Sequence, residues 1–210
     1  MLLLASASPR RRDLLTQAGF SFEVVSIPIA EVRRPGEDPI HLAQRLAREK
    51  AEAVFHARTA ANESDALLVL GADTIVVCDD EILGKPVDDA DAMRMLRMLA
   101  GRTHQVITGV CLISRAGVEV AAESTWVTML TLTDEEIRSY VASGEPRDKA
   151  GAYAIQGRAS RWIPRIAGCY FNVVGLPLAL VNAMMEAARH DEQSNGAQPY
   201  PLAQTLNRMR

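Results

Sequence analysis

Cysteine and histidine are scarce in this chain of 210 residues, and neither is arranged for the work it usually does. The three cysteines, Cys78, Cys111 and Cys169, lie far apart without a CxxC pair. That pattern excludes a disulfide framework and points to a reducing compartment, with the cytoplasm as the expected location. The four histidines, His41, His56, His104 and His190, show neither HxxxH nor HExxH spacing, which argues against a histidine-based metal site. No stretch approaches the ~18 uninterrupted apolar residues of a membrane span, and the run Leu2-Leu3-Leu4 is too short for a signal peptide and has no basic region before it. An excess of positive charge is also missing. With 23 basic and 26 acidic residues the net charge is −3, so no nucleic-acid partner is expected, and any anion must be held by a local cluster. There is no GxxxxGK[ST] loop, no internal repeat and no linker. At 48% hydrophobic composition the chain should form one compact unit.

What the chain does have is charge in unexpected places. Ala5-Ser6-Ala7-Ser8-Pro9-Arg10-Arg11-Arg12 follows the apolar run Leu2–Leu4. Ser8 suits an N-cap and Pro9 the first helical position. The arginines then crowd the end where the helix dipole is already positive, each at a cost of roughly 0.3–1 kcal/mol. A bound phosphate would reverse that sign; three solvated surface arginines are the alternative, and the stretch by itself does not choose. Residues 39–60 repeat apolar positions at helical spacing, and Lys50 falls in the middle of the apolar stripe, where it must snorkel or meet an anion. Residues 66–77 read as a strand covered on both faces, with Asp73 inside it. A carboxylate there is paired, metal-bound or catalytic, unless Gly71 breaks the strand and exposes it.

The remaining elements are more ordinary. A turn at Asp79-Asp80 would return Lys85 toward Asp73. Residues 9–18, 88–100 and 133–143 read as helices, the last opened by the capping box Thr133-Asp134-Glu135-Glu136. The methionines of 88–100 fit a core or a subunit contact. Residues 20–25, 103–114 and 119–132 read as strands, 148–161 as a glycine-rich loop around Gln156, and 171–188 as a strand or turn leading to a terminal helix. One compact domain over 1–189 and a frayed polar tail over 190–210 are expected. Arg10, Arg11, Lys50 and Lys85 as cations, with Glu31 and Asp73 as carboxylates, make the set a metal-assisted phosphoanhydride hydrolase requires.

Seven blocks resemble the Maf family of nucleoside triphosphate pyrophosphatases: Ala5–Arg11, Gly71-Ala72-Asp73-Thr74, Gly84-Lys85-Pro86, Ile107-Thr108-Gly109-Val110, Asp148–Tyr153, Ile155-Gln156-Gly157 and Phe171–Pro177. The resemblance covers residues 1 to about 188. It implies a mixed-sheet α/β fold like that of inosine triphosphate pyrophosphatases, two lobes around a central cleft, and a cytoplasmic homodimer that releases nucleoside monophosphate and pyrophosphate. It implies Asp73 as general base, with Lys85 and Glu31 as further catalytic groups. Ser8, Arg10, Arg11, Lys50, Thr74 and Gln156 would bind the nucleoside triphosphate, and Glu31 and Asp73 would hold a divalent cation, Mg²⁺ or Mn²⁺. The Ile155-Gln156-Gly157 block looks like the branch acting on dTTP and UTP, because an amide can both donate to and accept from the uracil or thymine edge. A 7-methyl-GTP pyrophosphatase, or a regulator of septum formation that binds nucleotide without turnover, are the alternatives.

Overall fold

A computed structural model describes residues 1–61, 67–115 and 117–194. The first strand β1 (Leu2–Ala5) leads to helix α1 (Pro9–Gln17), the short strand β2 (Phe22–Val24) and the long helix α2 (Pro39–Ala60). Next come β3 (Leu68–Cys78), β4 (Glu81–Leu83), α3 (Asp89–Leu99), β5 (Thr103–Ser114), β6 (Gly117–Thr128) and α4 (Asp134–Ala142). Three short 3-10 turns (Glu145–Asp148, Ala150–Ala152, Arg158–Trp162) precede β7 (Arg165–Ala167), α5 (Tyr170–Val174) and α6 (Leu178–Ser194). The expected mixed α/β architecture is present: one sheet in the order β2-β1-β3-β5-β6-β7, parallel on the β2-β1-β3 side and antiparallel beyond. Among the described residues no helix is long and apolar enough to cross a membrane.

The cleft originates in the pairing of β3. On one edge β1 covers only Leu68–Gly71, and β4 covers only Val76–Cys78. Between them, 72–75 pair on their other edge with β5 alone. The β3–β4 connection is the expected two-residue turn, with Asp79 and Asp80 at positive φ (48° and 64°), the geometry whose twist matches antiparallel strands. On either side of the gap the core divides. Leu70 and Ala72 pack with Leu14, Leu15, Val181 and Met184 of α1 and α6, whereas Val76 packs with Leu96, Ile137 and Tyr140 of α3 and α4. These are the two lobes, and the continuous sheet joins them.

Helix α2 lies on the opposite face of the sheet. Asp38 caps it, accepting from the Ile40 and His41 N–H groups. The helix approaches so closely that a Cβ on Gly71 would stand 2.2 Å from the Ala47 carbonyl oxygen, and one on Gly109 2.2 Å from that of Ala43. Gly71 therefore does not break the strand; it admits the helix. Other boundaries differ from the sequence reading. β2 and β6 are shorter than 20–25 and 119–132 imply, and residues 148–161 hold short 3-10 segments separated by a turn at 155–157. The segment at 171 is helical because Gly175 (φ 126°) closes α5. The last helix runs to Ser194, beyond the boundary set at 189. The expected tail from 195 onward, and Ala116 in the β5–β6 turn, lie outside the described residues.

Candidate active site

A cleft of about 700 Å³ occupies the gap on the edge of β3. Strand periodicity sends Asp73 and Thr74 to opposite faces. Asp73 turns toward α2, where the Lys50 ammonium meets it at 2.5 Å and also meets Glu31 Oε1 at 2.6 Å. The lysine in the apolar stripe thus does not snorkel; it is held between two carboxylates, one buried on the strand and one half-exposed on the loop after β2. Thr74 turns toward α1, where Arg11 Nη2 donates to its Oγ1 at 3.0 Å.

Arg11 is buried, and its other nitrogens donate to the Gly175 carbonyl at 2.8 Å and to Ser6 Oγ at 3.2 Å. Thr74 Oγ1 in turn lies 2.9 Å from Thr108 Oγ1, and the latter donates to the Asn172 carbonyl. A charged guanidinium is thereby fixed at the first turn of α1 by three acceptors, on Ser6, Thr74 and Gly175. Burial lowers its pKa, and the nearby Asp73 and Glu31 oppose that effect. Arg10 instead reaches across the cleft to the Asp148 carboxylate at 2.9 Å and its carbonyl at 3.3 Å. Arg12 lies against Asp13 on the surface and takes no part in the cleft. Ser8 occupies the N-cap position, but its side chain makes no capping bond.

Burial raises the Asp73 carboxyl above its ordinary value, more than Lys50 and Arg11 lower it. For Glu31, burial also pushes upward, but the hydrogen bond and charge of Lys50, with Lys85 and Arg11, outweigh it and hold the group below its ordinary value. The two carboxylates against one ammonium are therefore shifted in opposite directions, Asp73 upward by burial and Glu31 downward by its cations.

All the residues singled out from the sequence line this cleft: Ser8, Arg10, Arg11, Glu31, Lys50, Asp73, Thr74, Lys85 and Gln156. Lys85 is exposed beyond β4, on the side the hairpin was expected to bring it to, and Gln156 is exposed at the tip of the turn 155–157. Asp148 and Lys149 also line it, and the sequence reading gave them no role. Their block was visible, but an Asp-Lys pair in a polar loop reads as solvated surface. Ser6, buried and bonded to Arg11, was passed over for Ser8 because the cap argument favours the residue before proline.

The family model described as "Maf-like protein" matches residues 1–188. A protein of Koribacter versatilis named dTTP/UTP pyrophosphatase is 54% identical over 187 residues, covering 89% of this chain and 94% of that one. One of the same name from Geobacter sulfurreducens is 54% identical over 182 residues, covering 86% and 92%. Among solved structures, the Staphylococcus aureus Ham1 protein aligns with 89% of this chain and 98% of its own at 14% identity and a TM-score of 0.42, a likeness too loose to bear on the site. On the match along residues 1–188, the chain belongs to the Maf-like protein family.

Proposed function

We propose that the chain is a nucleoside triphosphate pyrophosphatase acting on dTTP and UTP, and that it works as a cytoplasmic homodimer. The observation that carries the reaction is the Lys50 ammonium shared by Asp73 and Glu31 in a cleft also lined by Arg10, Arg11 and Lys85. The named relatives support the substrate. The triphosphate lies at the N-terminus of α1, where the dipole and the arginines favour polyanions. Arg10 exchanges Asp148 for phosphate, and Lys85 neutralises charge on the departing pyrophosphate. Asp73, the carboxylate whose affinity for a proton burial raises, takes the proton of the attacking water. Lys50 bridges the carboxylates and fixes the orientation of Asp73.

A divalent cation fits the donor set. Glu31 and Asp73 offer hard oxygens against a common ammonium, and Mg²⁺ or Mn²⁺ held by one or two carboxylates leaves its remaining positions to phosphate oxygens and water. Among the described residues no group of three His, Cys, Asp or Glu side chains is placed to hold a metal ion. When bound, the ion neutralises phosphate charge and makes water more acidic. Gln156 pairs through its amide with the O4 and N3–H edge of uracil or thymine.

The test is pyrophosphate release from dTTP, UTP, CTP, GTP and 7-methyl-GTP, with and without a chelator. Turnover led by dTTP and UTP and abolished by the chelator is expected. Preference for 7-methyl-GTP, or tight nucleotide binding without pyrophosphate release, would replace this reading with one of its two alternatives.

A further inference from the structure

The turn that carries Gln156 has little regular structure to hold it. Its closing bond, from the Gly157 N–H to the Ala154 carbonyl, is 3.0 Å long, and it fixes the turn's shape without fixing its place against the cleft. Ile155, inside the turn, packs against the core around Leu14 and Leu70, and one side-chain pair outside the cleft holds both flanks. Before the turn, the Ala154 N–H donates to the Tyr140 hydroxyl at 3.1 Å. After it, the Arg158 N–H donates to both oxygens of Glu145, at 3.0 and 3.2 Å. The Tyr140 hydroxyl itself donates to Glu145 Oε1 at 2.8 Å, so one connected pair clamps both flanks. Tyr140 is fully buried on α4, and its ring packs edge-on against Trp162. Glu145 follows Gly144, whose φ of 75° ends that helix. The contact is close: a Cβ on Gly157 would lie 2.0 Å from Glu145 Oε1.

We infer that Glu145, braced by Tyr140, is a positioning residue for base selection: its carboxylate sets where the Gln156 amide meets the base, although Glu145 does not line the cleft. This rests on the reading that Gln156 recognises the base. Among the described residues the carboxylate bonds the Tyr140 hydroxyl and the Arg158 N–H, whereas the phosphate side is tied to the Glu145 carbonyl, which accepts from Lys149 Nζ at 2.7 Å. Truncating the side chain leaves that carbonyl in place. Removing the carboxylate should therefore affect recognition of the base and spare handling of the phosphates.

The readout is the ratio of kcat/KM for dTTP to that for CTP in purified full-length protein, with folding checked by circular dichroism. Glu145→Ala should lower the ratio by about tenfold or more, through KM for dTTP, with kcat within about threefold of wild type. Glu145→Gln keeps a carbonyl oxygen where Oε1 stands and should restore most of the ratio. In a Gln156→Ala background, Glu145→Ala should lower it no further, because both changes act through one amide. An unchanged ratio in Glu145→Ala, with loss in Gln156→Ala, would overturn the inference and leave the base reading standing. An equal fall in kcat for every nucleotide would also overturn it, showing structural support only. No effect of Gln156→Ala would remove the base reading and the inference with it. Should Glu145→Ala fail to fold, Tyr140→Phe, which deletes one hydroxyl, is judged by the same ratio.

Discussion

The two walls of the cleft are built on different principles. On one wall, Asp73, Thr74, Lys50 and Arg11 stand on a paired strand and on helices seated against it, and backbone geometry fixes their positions before any side-chain bond forms. On the other, Asp148, Lys149 and Gln156 stand on short turns and the links between them, held by side chains: Tyr140 and Glu145 around one turn, and the Tyr153 hydroxyl 2.7 Å from His104 Nε2 on β5. The rigid wall carries the groups assigned to chemistry, where small displacements are costly. The turn wall carries the group assigned to selecting the base, which a change of turn can alter without touching the reaction.

The largest expected effect is on the rigid wall. Asp73→Asn keeps the shape and removes the proposed base, so kcat should fall roughly 10²–10⁴-fold, measured as pyrophosphate release. The same substitution should not destabilise the fold near neutral pH. A carboxyl whose folded pKa is raised stabilises the protein only when protonated, and that contribution is lost as pH rises through the folded value. Ionised Asp73 is thus a stability cost, and Asp73→Asn should melt no lower than wild type at pH 7. A lower melting temperature would mean that the Lys50 bridge outweighs the burial of the charge.

Acid should loosen the turn wall first. Burial pushes the His104 pKa from 6.5 down to about 4, so the unfolded chain takes up a proton that the folded chain refuses. Stability from the neutral ring is complete above about pH 6.5 and is lost as pH falls toward 4, a change on the order of 3 kcal/mol. Asp73 has the opposite sign, and melting curves of Asp73→Asn between pH 7 and pH 4 therefore show the His104 limb more steeply. His104→Gln should flatten it. The base ratio for dTTP over CTP should weaken at the acid end before the fold is lost.

The rigid wall also depends on the seat of α2. Gly109 is the register partner of Asp73, and Gly109→Ala would drive a methyl group into the Ala43 backbone, lifting the helix that carries Lys50. Overpacking of this kind costs about 1–3 kcal/mol, visible in urea melts, and should be accompanied by a fall in kcat. Gly84→Ala is the control, with open space around the added Cβ, and its stability should be nearly unchanged.

This contrast also explains what was legible in the sequence. Asp73 and Lys50 are charges placed where the strand and helix patterns call for apolar side chains, so the pattern exposes them. The strand, both long helices and the hairpin at Asp79-Asp80 follow from the same periodicities and turn chemistry. Glu145, Tyr140 and Asp148 sit in segments where polar residues are ordinary; Asp148 meets Arg10, 138 positions away, and Tyr140 meets Glu145 across the left-handed Gly144. No local pattern records such a pairing. Gly71 was legible as a glycine in a strand, but the meaning of the missing side chain became visible only with α2 in place.

The smallest expected effect separates two residues that look alike in sequence, Ser8 before α1 and Thr133 before α4. Both occupy N-cap positions, and an ordinary cap is worth about 1 kcal/mol. Thr133 forms a full capping box with Glu136, so Thr133→Ala should lower stability by about that amount and leave KM for dTTP unchanged. Ser8 makes no capping bond and faces the cleft. Ser8→Ala should therefore leave nucleotide-free stability within about 0.5 kcal/mol of wild type and act only when the triphosphate is present, as a rise of a few fold in KM for every nucleotide. Paired urea melts and kinetics on the two variants decide the matter. Loss of stability in Ser8→Ala at constant KM would make Ser8 an ordinary cap, and the first turn of α1 would then have to bind phosphate through its backbone and arginines alone.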